Sequence, residues 1–223
     1  MGQHSAVSTV VGLSVAWGGV LVLLSPAHRL LGPPGRLTTQ LLEQLVLWVL
    51  MGLIVAIVVL WERQPLASMN LRPFHWSSLA WGVLLAAAMM FVVVPSLTWA
   101  LGAANIAGFD AGMAKALEAP VGVRIVAVIT AGVVEDTLFI GYAFTRLARI
   151  TGNAWLAGAI AVVVASLLHL PHWGVGPVLA YVVTGGLAVA FFAWRQDLLA
   201  NIAAHVIVDG MGLVAVPMLT RGS

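Results

Sequence analysis

The chain has 223 residues, of which 61% are hydrophobic and only 8% charged, and its formal net charge is +2. A soluble domain carries about 25% charged residues, so this composition excludes a globule solvated by water on all sides and points to one solvated by lipid. The ten basic residues are spread over several loops, which argues against a nucleic-acid partner, and the absence of cysteine excludes disulfides, thiolate metal sites and a cysteine nucleophile.

The first apolar run, 6–25, is not preceded by Lys or Arg, so it lacks the basic start of a signal peptide. At about 19 residues it is long enough to span a bilayer and is read as the first transmembrane helix. A gap with Pro26, Arg29, Pro33, Pro34 and Arg36 ends it. Runs of spanning length follow at 41–61 and 77–103, separated by Glu62-Arg63-Gln64-Pro65 through Arg72-Pro73. Proline lacks the N–H and fixes φ, so such clusters end helices. The stretch 104–119 is less apolar, and Asp110, Lys115 and Glu118 suggest a short helix lying on the membrane. Four more runs, 120–148, 154–170, 174–194 and 198–219, are joined by short turns that force antiparallel neighbours. The expected fold is all-α: a polytopic transmembrane bundle of about seven helices, or eight with the interfacial one. Orientation does not follow, because Arg63, Arg72, Arg146, Arg149 and Arg195 on one side nearly balance Arg29, Arg36, Lys115 and Arg221 on the other, with Arg124 near them.

Most charges sit in the gaps, and the exceptions carry the chemistry. Glu135 and Asp136 fall mid-span in the fourth run, His169 near the end of the fifth, and His205 and Asp209 inside the seventh. A carboxylate at a helix centre costs about 2.5–3.5 kcal/mol on insertion scales, so such residues face a bundle interior or a water-filled cavity. Asn201, His205 and Asp209 repeat at i, i+4, i+8 and form one polar stripe. Glu135 and Asp136 are consecutive, which on an α-helix sets them about 100° apart. One is then expected to act and the other to support it. Pro171 is expected to end or kink the fifth helix just after His169.

Plainer roles exist for each residue taken singly. A lone intramembrane histidine commonly hydrogen-bonds between helices. Ser166 is expected to bond its own helix backbone rather than act as a nucleophile. His172, Trp17, Trp48, Trp61, Trp76 and Trp173 read as interfacial residues, and Gly185-Gly186 as close helix packing. The joint occurrence of three carboxylates and two histidines on three helices of one bundle favours a functional site. A carboxylate and a histidine beside a water form a general-base pair, and a second His–Asp pair would stabilise an oxyanion or complete a metal site. Neither His-Glu-x-x-His nor Gly-x-Ser-x-Gly occurs. Water-mediated hydrolysis is the simplest reaction class, with proton-coupled transport as its rival.

These residues also fall in recognisable strings. Glu135-Asp136-Thr137-Leu138-Phe139-Ile140-Gly141-Tyr142 resembles the first motif, Glu-Glu-x-x-x-Arg, of the CAAX protease and bacteriocin-processing (CPBP, or Abi) family of intramembrane proteases. Ser166 to Pro171, around His169, resembles the second motif, Phe-x-x-x-His. Asn201 to Asp209 resembles the third, His-x-x-x-Asn or His-x-x-x-Asp. Thr184 to Asp197 is similar to the glycine-rich span before the third motif, and Glu62 to Leu71 to the loop before the core. The departures are Asp136 for the second Glu, Ile140 for the Arg and Ala165 for the Phe. Without that Arg, a metal, a protonated carboxyl, Arg124 or Arg146 must offset the paired carboxylates.

The resemblance implies N-terminal membrane helices and loops over 1–119 and a catalytic-core bundle over 120–219. It implies an intramembrane endopeptidase with catalytic Glu135, His169, His205 and Asp209, supported by Asp136 and Asn201. Glu135 would activate water, His169 position it, and His205 and Asp209 orient or stabilise the oxyanion. The cofactor is either none or a divalent metal such as zinc, with Glu135, His169 and His205 as candidate ligands; the missing zinc motif favours glutamate-activated water. Expected partners are the lipid bilayer and a hydrophobic or membrane-anchored peptide, and the expected location is a bacterial or archaeal plasma membrane. The competing readings are an inactive family member serving as a membrane scaffold or immunity protein, and a proton-coupled transporter.

Overall fold

The computed structural model describes residues 3–24, 30–33, 35–106, 114 and 116–221, and these contain no strand. The all-α expectation holds. The long helices are α1 (3–24), α2 (37–61), α3 (76–103), α4 (121–151), α5 (154–173), α6 (175–195) and α7 (198–221). Six of them, α1, α2, α3, α5, α6 and α7, are long and apolar enough to cross a membrane. The expected fourth span is the continuous helix α4, which is not among those six; protein surrounds its second half, where nearly every side chain from Asp136 to Leu147 is buried. Large apolar side chains such as Leu60, Phe91, Leu167 and Leu219 lie more than half exposed on the outside of the bundle, as lipid solvation permits. Pro26, Arg29, Pro34, Asp110 and Lys115 lie outside the described residues, as does half of the stretch expected to form the interfacial helix.

Local chemistry explains the tight turns between the last four helices. Gly152 takes φ +66° after α4, and the Asn153 side chain then accepts the Trp155 and Leu156 N–H groups at 2.9 and 3.1 Å, capping α5. Helix α5 continues through Pro171 and ends two residues later at Trp173, where Gly174 takes φ +76°. The turn into α7 has Gln196 in the left-handed region and Asp197 as the cap, accepting the Ala200 N–H.

Helix α7 packs between α3 and α4. Small residues make both seams close. A β-carbon on Gly82 would lie 2.7 Å from Ala203 Cβ and 2.8 Å from the Ala200 carbonyl oxygen. On the other seam, Gly132 faces Val206, and Gly141 faces Leu198. Further along, Arg124 donates to the Leu213 carbonyl. Helices α4 and α7 therefore run antiparallel in a fixed register, 124 beside 213, 132 beside 206, 141 beside 198. Helix α6 lies against α5, while α1 and α2 cover α4. Trp48, still 37% exposed, donates to Thr130 Oγ1 at 3.0 Å, tying α2 to α4, and the Trp17 indole nitrogen is buried without a hydrogen-bond partner among the described residues.

The loop 62–75, with a short 3-10 turn at Leu66–Met69, is held by a buried ion pair. Arg146, 2% exposed, donates through Nε to Glu62 at 2.9 Å and through Nη1 to the Ser68 carbonyl at 3.1 Å. Tyr142 donates its hydroxyl to Glu62 at 3.0 Å, and the guanidinium sits 4.9 Å from the Tyr142 ring centroid. The loop's far end docks on the α6–α7 turn: Asn70 Nδ2 donates to Gln196, and the Asn70 carbonyl accepts the Leu198 N–H.

Two stability outcomes follow. Gly82→Val overpacks the α3–α7 seam and is expected to cost about 1–3 kcal/mol, read as a lower melting temperature in detergent. Arg146→Met strands the Glu62 carboxylate in the bundle and is expected to cost about 3–5 kcal/mol. The double variant Glu62→Leu/Arg146→Met is expected to recover most of that loss, which a non-interacting pair would not do.

Candidate functional site

Helices α4, α5 and α7 bring Glu135, Asp136, His169, His205 and Asp209 into one polar cluster. Glu135 Oε2 lies 3.8 Å from His169 Nε2. Asp136 Oδ1 lies 3.0 Å from His205 Nδ1, and Asp209 Oδ2 lies 3.4 Å from His205 Nε2. His205 and Glu135 are within electrostatic reach of each other, as are Glu135 and both aspartates. Asp136 is enclosed at 8%, whereas Glu135 and Asp209 are about a quarter and a third exposed, so the cluster opens outward at those two carboxylates.

The paired carboxylates take different partners. Both face the cluster, each toward its own histidine. The cause is local: residues 131–144 of α4 are wound as a π-helix. Bonding from i to i+5 winds the chain more loosely than an α-helix, so consecutive side chains diverge by less than the roughly 100° of an α-helix. Asp136 consequently pairs with His205 of α7 rather than with Glu135. Short π turns also occur at 14–18, 57–61, 89–93 and 211–215, but none approaches the 14 residues of this one.

The His169 ring has a defined tautomer. Its Nδ1 lies 2.7 Å from the Ala165 carbonyl. A carbonyl only accepts, so Nδ1 donates, and in the neutral ring Nε2 carries the lone pair toward Glu135. The position where the resembled motif has Phe thus supplies a backbone anchor one turn before the histidine.

The remaining expectations resolve as follows. Asn201 is buried and donates to the Ala188 carbonyl at 3.0 Å, so it ties α7 to α6 without touching the cluster. Ser166 Oγ is buried with no hydrogen-bond partner among the described residues and does not bond its own helix. Ile140 packs with Phe144, Leu147, Ala157, Phe192 and Leu198 in an apolar cluster. Neither Arg124, on the Leu213 carbonyl, nor Arg146, on Glu62, offsets the paired carboxylates; the two histidines face them instead. The His172 side chain lies outside the described residues.

Sequence reasoning missed Tyr181. Its ring stacks on His169, with centroids 4.8 Å apart and planes 21° apart. The chain has only two tyrosines, and membrane tyrosines concentrate at the interfaces. A tyrosine inside an otherwise apolar span was the available signal.

The donor set does not fit a tetrahedral metal. Structural and catalytic zinc sites use three or four protein ligands. Among the described residues no three His, Asp or Glu side chains are arranged to hold an ion. Both nitrogens of His205 are taken up by carboxylates, and Nδ1 of His169 by a carbonyl. That leaves Glu135 and His169 Nε2 with lone pairs facing each other.

With this geometry in place, comparison adds one finding. Residues 117–211 match the family model described as type II CAAX prenyl endopeptidase Rce1-like. No curated protein and no solved structure matches the chain. The matched region contains Glu135, Asp136, His169, Tyr181, His205 and Asp209. The match agrees with the three motifs and with the membrane-spanning helices around them, and over residues 117–211 the chain is similar to the Rce1-like CAAX endopeptidase family.

Proposed function

We propose that the chain is an intramembrane endopeptidase that hydrolyses a peptide bond of a membrane-associated peptide, using water activated by Glu135. The observation carrying this reading is the 3.8 Å approach of two acceptors, the Glu135 carboxylate and the His169 Nε2 lone pair. A water between them donates one hydrogen to each and presents its oxygen lone pair outward. Glu135 takes one proton as the oxygen attacks the carbonyl carbon. The new C–O bond forms and the carbonyl π pair moves onto oxygen. On collapse the C–N bond breaks, and Glu135 returns its proton to the leaving amine.

His205, held between Asp136 and Asp209, contributes electrostatically. Serving both carboxylates at once requires hydrogen on both ring nitrogens, and that positive ring beside the reacting carbonyl favours the oxyanion. Asp136 therefore acts as the orienting partner of His205. No step passes through a metal, because the donor set offers too few free ligands.

The substrate reading rests on the apolar exterior and the depth of the cluster. A peptide arriving through the bilayer, anchored by an apolar group, reaches the open side at Glu135 and Asp209. The purified, reconstituted protein is expected to cleave a quenched fluorogenic peptide bearing a palmitoyl anchor faster than the same peptide without it. Glu135→Gln is expected to lower kcat by at least about 10²-fold while leaving the melting temperature unchanged. Proton-dependent flux without cleavage would favour a transporter, and unchanged cleavage by Glu135→Gln would remove the mechanism. Elemental analysis of active protein is expected to find no stoichiometric zinc, and exhaustive chelation is expected to leave the rate unchanged; loss of activity restored by zinc would overturn the metal-free reading.

A further inference from the structure

The reaction proposed above needs a hydrogen-bond donor aimed at the developing oxyanion. The cluster is short of donors. His169 spends its Nδ1–H on the Ala165 carbonyl, and its Nε2 is an acceptor. Both ring nitrogens of His205 face carboxylates, Asp136 at 3.0 Å and Asp209 at 3.4 Å. Ionised Glu135, Asp136 and Asp209 only accept. Asn201 gives its amide to Ala188, Arg124 reaches Leu213 and Arg146 reaches Glu62. The Ser166 hydroxyl oxygen is buried out of contact with solvent. Backbone N–H groups, the usual oxyanion donors at helix N-termini, are consumed here, because Glu135, His169 and His205 all lie in helix interiors.

Tyr181 is different. Its ring stacks on His169, and Gly185, one turn further along the same helix, leaves room for it: an added β-carbon there would lie 3.3 Å from ring Cε1. Its hydroxyl makes no hydrogen bond to the described residues, and its ring, stacked on His169, borders the cluster. A phenol keeps its proton where a carboxylate does not, and it donates without first gaining charge.

The geometry points to Tyr181 as a further catalytic residue of this site: its phenol O–H donates to the carbonyl oxygen as water held by Glu135 and His169 adds to the peptide carbon. This assignment rests on the hydrolytic reading given under Proposed function. The phenol keeps its own proton throughout. It stabilises the oxygen that receives the π pair and releases it when the carbonyl re-forms, so proton traffic stays between water, Glu135 and the leaving amine.

The rival role is structural, with Tyr181 serving only as a stacking partner that orients His169. Tyr181→Phe separates the two, since it keeps the ring and removes the hydroxyl. The variant is expected to melt like wild type and to lose about 10²-fold in kcat on the palmitoylated fluorogenic peptide, with KM nearly unchanged. A phosphinic peptide, which mimics the tetrahedral intermediate, is expected to bind the variant at least tenfold more weakly, while binding of a peptide amide is unchanged. Cleavage by Tyr181→Phe at the wild-type rate, or equal phosphinic-peptide affinity, overturns the assignment. Glu135→Gln is assayed alongside. If it is inactive and Tyr181→Phe is not impaired, only the tyrosine assignment fails; if it cleaves normally, the hydrolytic reading fails and takes the tyrosine with it.

Discussion

Three carboxylates held inside an apolar bundle impose the constraint on which the rest of the structure depends. Each costs free energy at that depth unless a partner faces it. For Asp136 and Asp209 the chain meets the cost with a histidine instead of arginine or lysine. His169 faces Glu135, and His205 lies between Asp136 and Asp209. The partners come from α5 and α7, so the register between these helices and α4 must be fixed to within a fraction of a turn. Electrostatic need and helix packing are here one requirement.

The packing meets that requirement with small residues and buried anchors. Gly132 and Gly141 let α7 lie close on α4, and Gly82 lets α3 close on the opposite side of α7. Between lipid-solvated helices the hydrophobic effect gives little preference for one register, so close backbone approach and specific hydrogen bonds must supply it. Trp48 on Thr130, Asn201 on the Ala188 carbonyl and the Glu62–Arg146 pair are such bonds. The last of these also fixes the loop whose Asn70 docks on the first residue of α7, one more hold on the helix that carries His205.

The π-wound stretch of α4 gives the site its particular form. The looser winding narrows the angle between consecutive carboxylates, and each finds its own histidine. π segments recur at functional sites in other helices for the same geometric reason. The result is two acid–histidine pairs side by side, one with lone pairs facing across 3.8 Å and one closed by carboxylates on both sides of its ring. Such an arrangement presents acceptors to a water, with a phenol ring stacked beside them.

The sequence by itself determined the helical membrane class, because so few charges cannot cover a water-solvated surface, and it marked the span boundaries through proline, glycine and capping residues. It also marked Glu135, His169, His205 and Asp209, since an ionisable residue at membrane depth is conspicuous against an apolar background. The contacts among them were decided only by the tertiary structure. The pairing of Asp136 with His205 depends on π winding, which is a backbone state that no spacing rule reports. The diversion of Asn201, Arg124 and Arg146 to other partners depends on which carbonyl or carboxylate each meets across a helix seam. Tyr181 gave only the signal of a tyrosine inside an apolar span; its importance comes from stacking on His169, on a neighbouring helix. Side-chain type and depth are local properties that a sequence displays; which group faces which is set by register and winding, and those are fixed only when the helices pack.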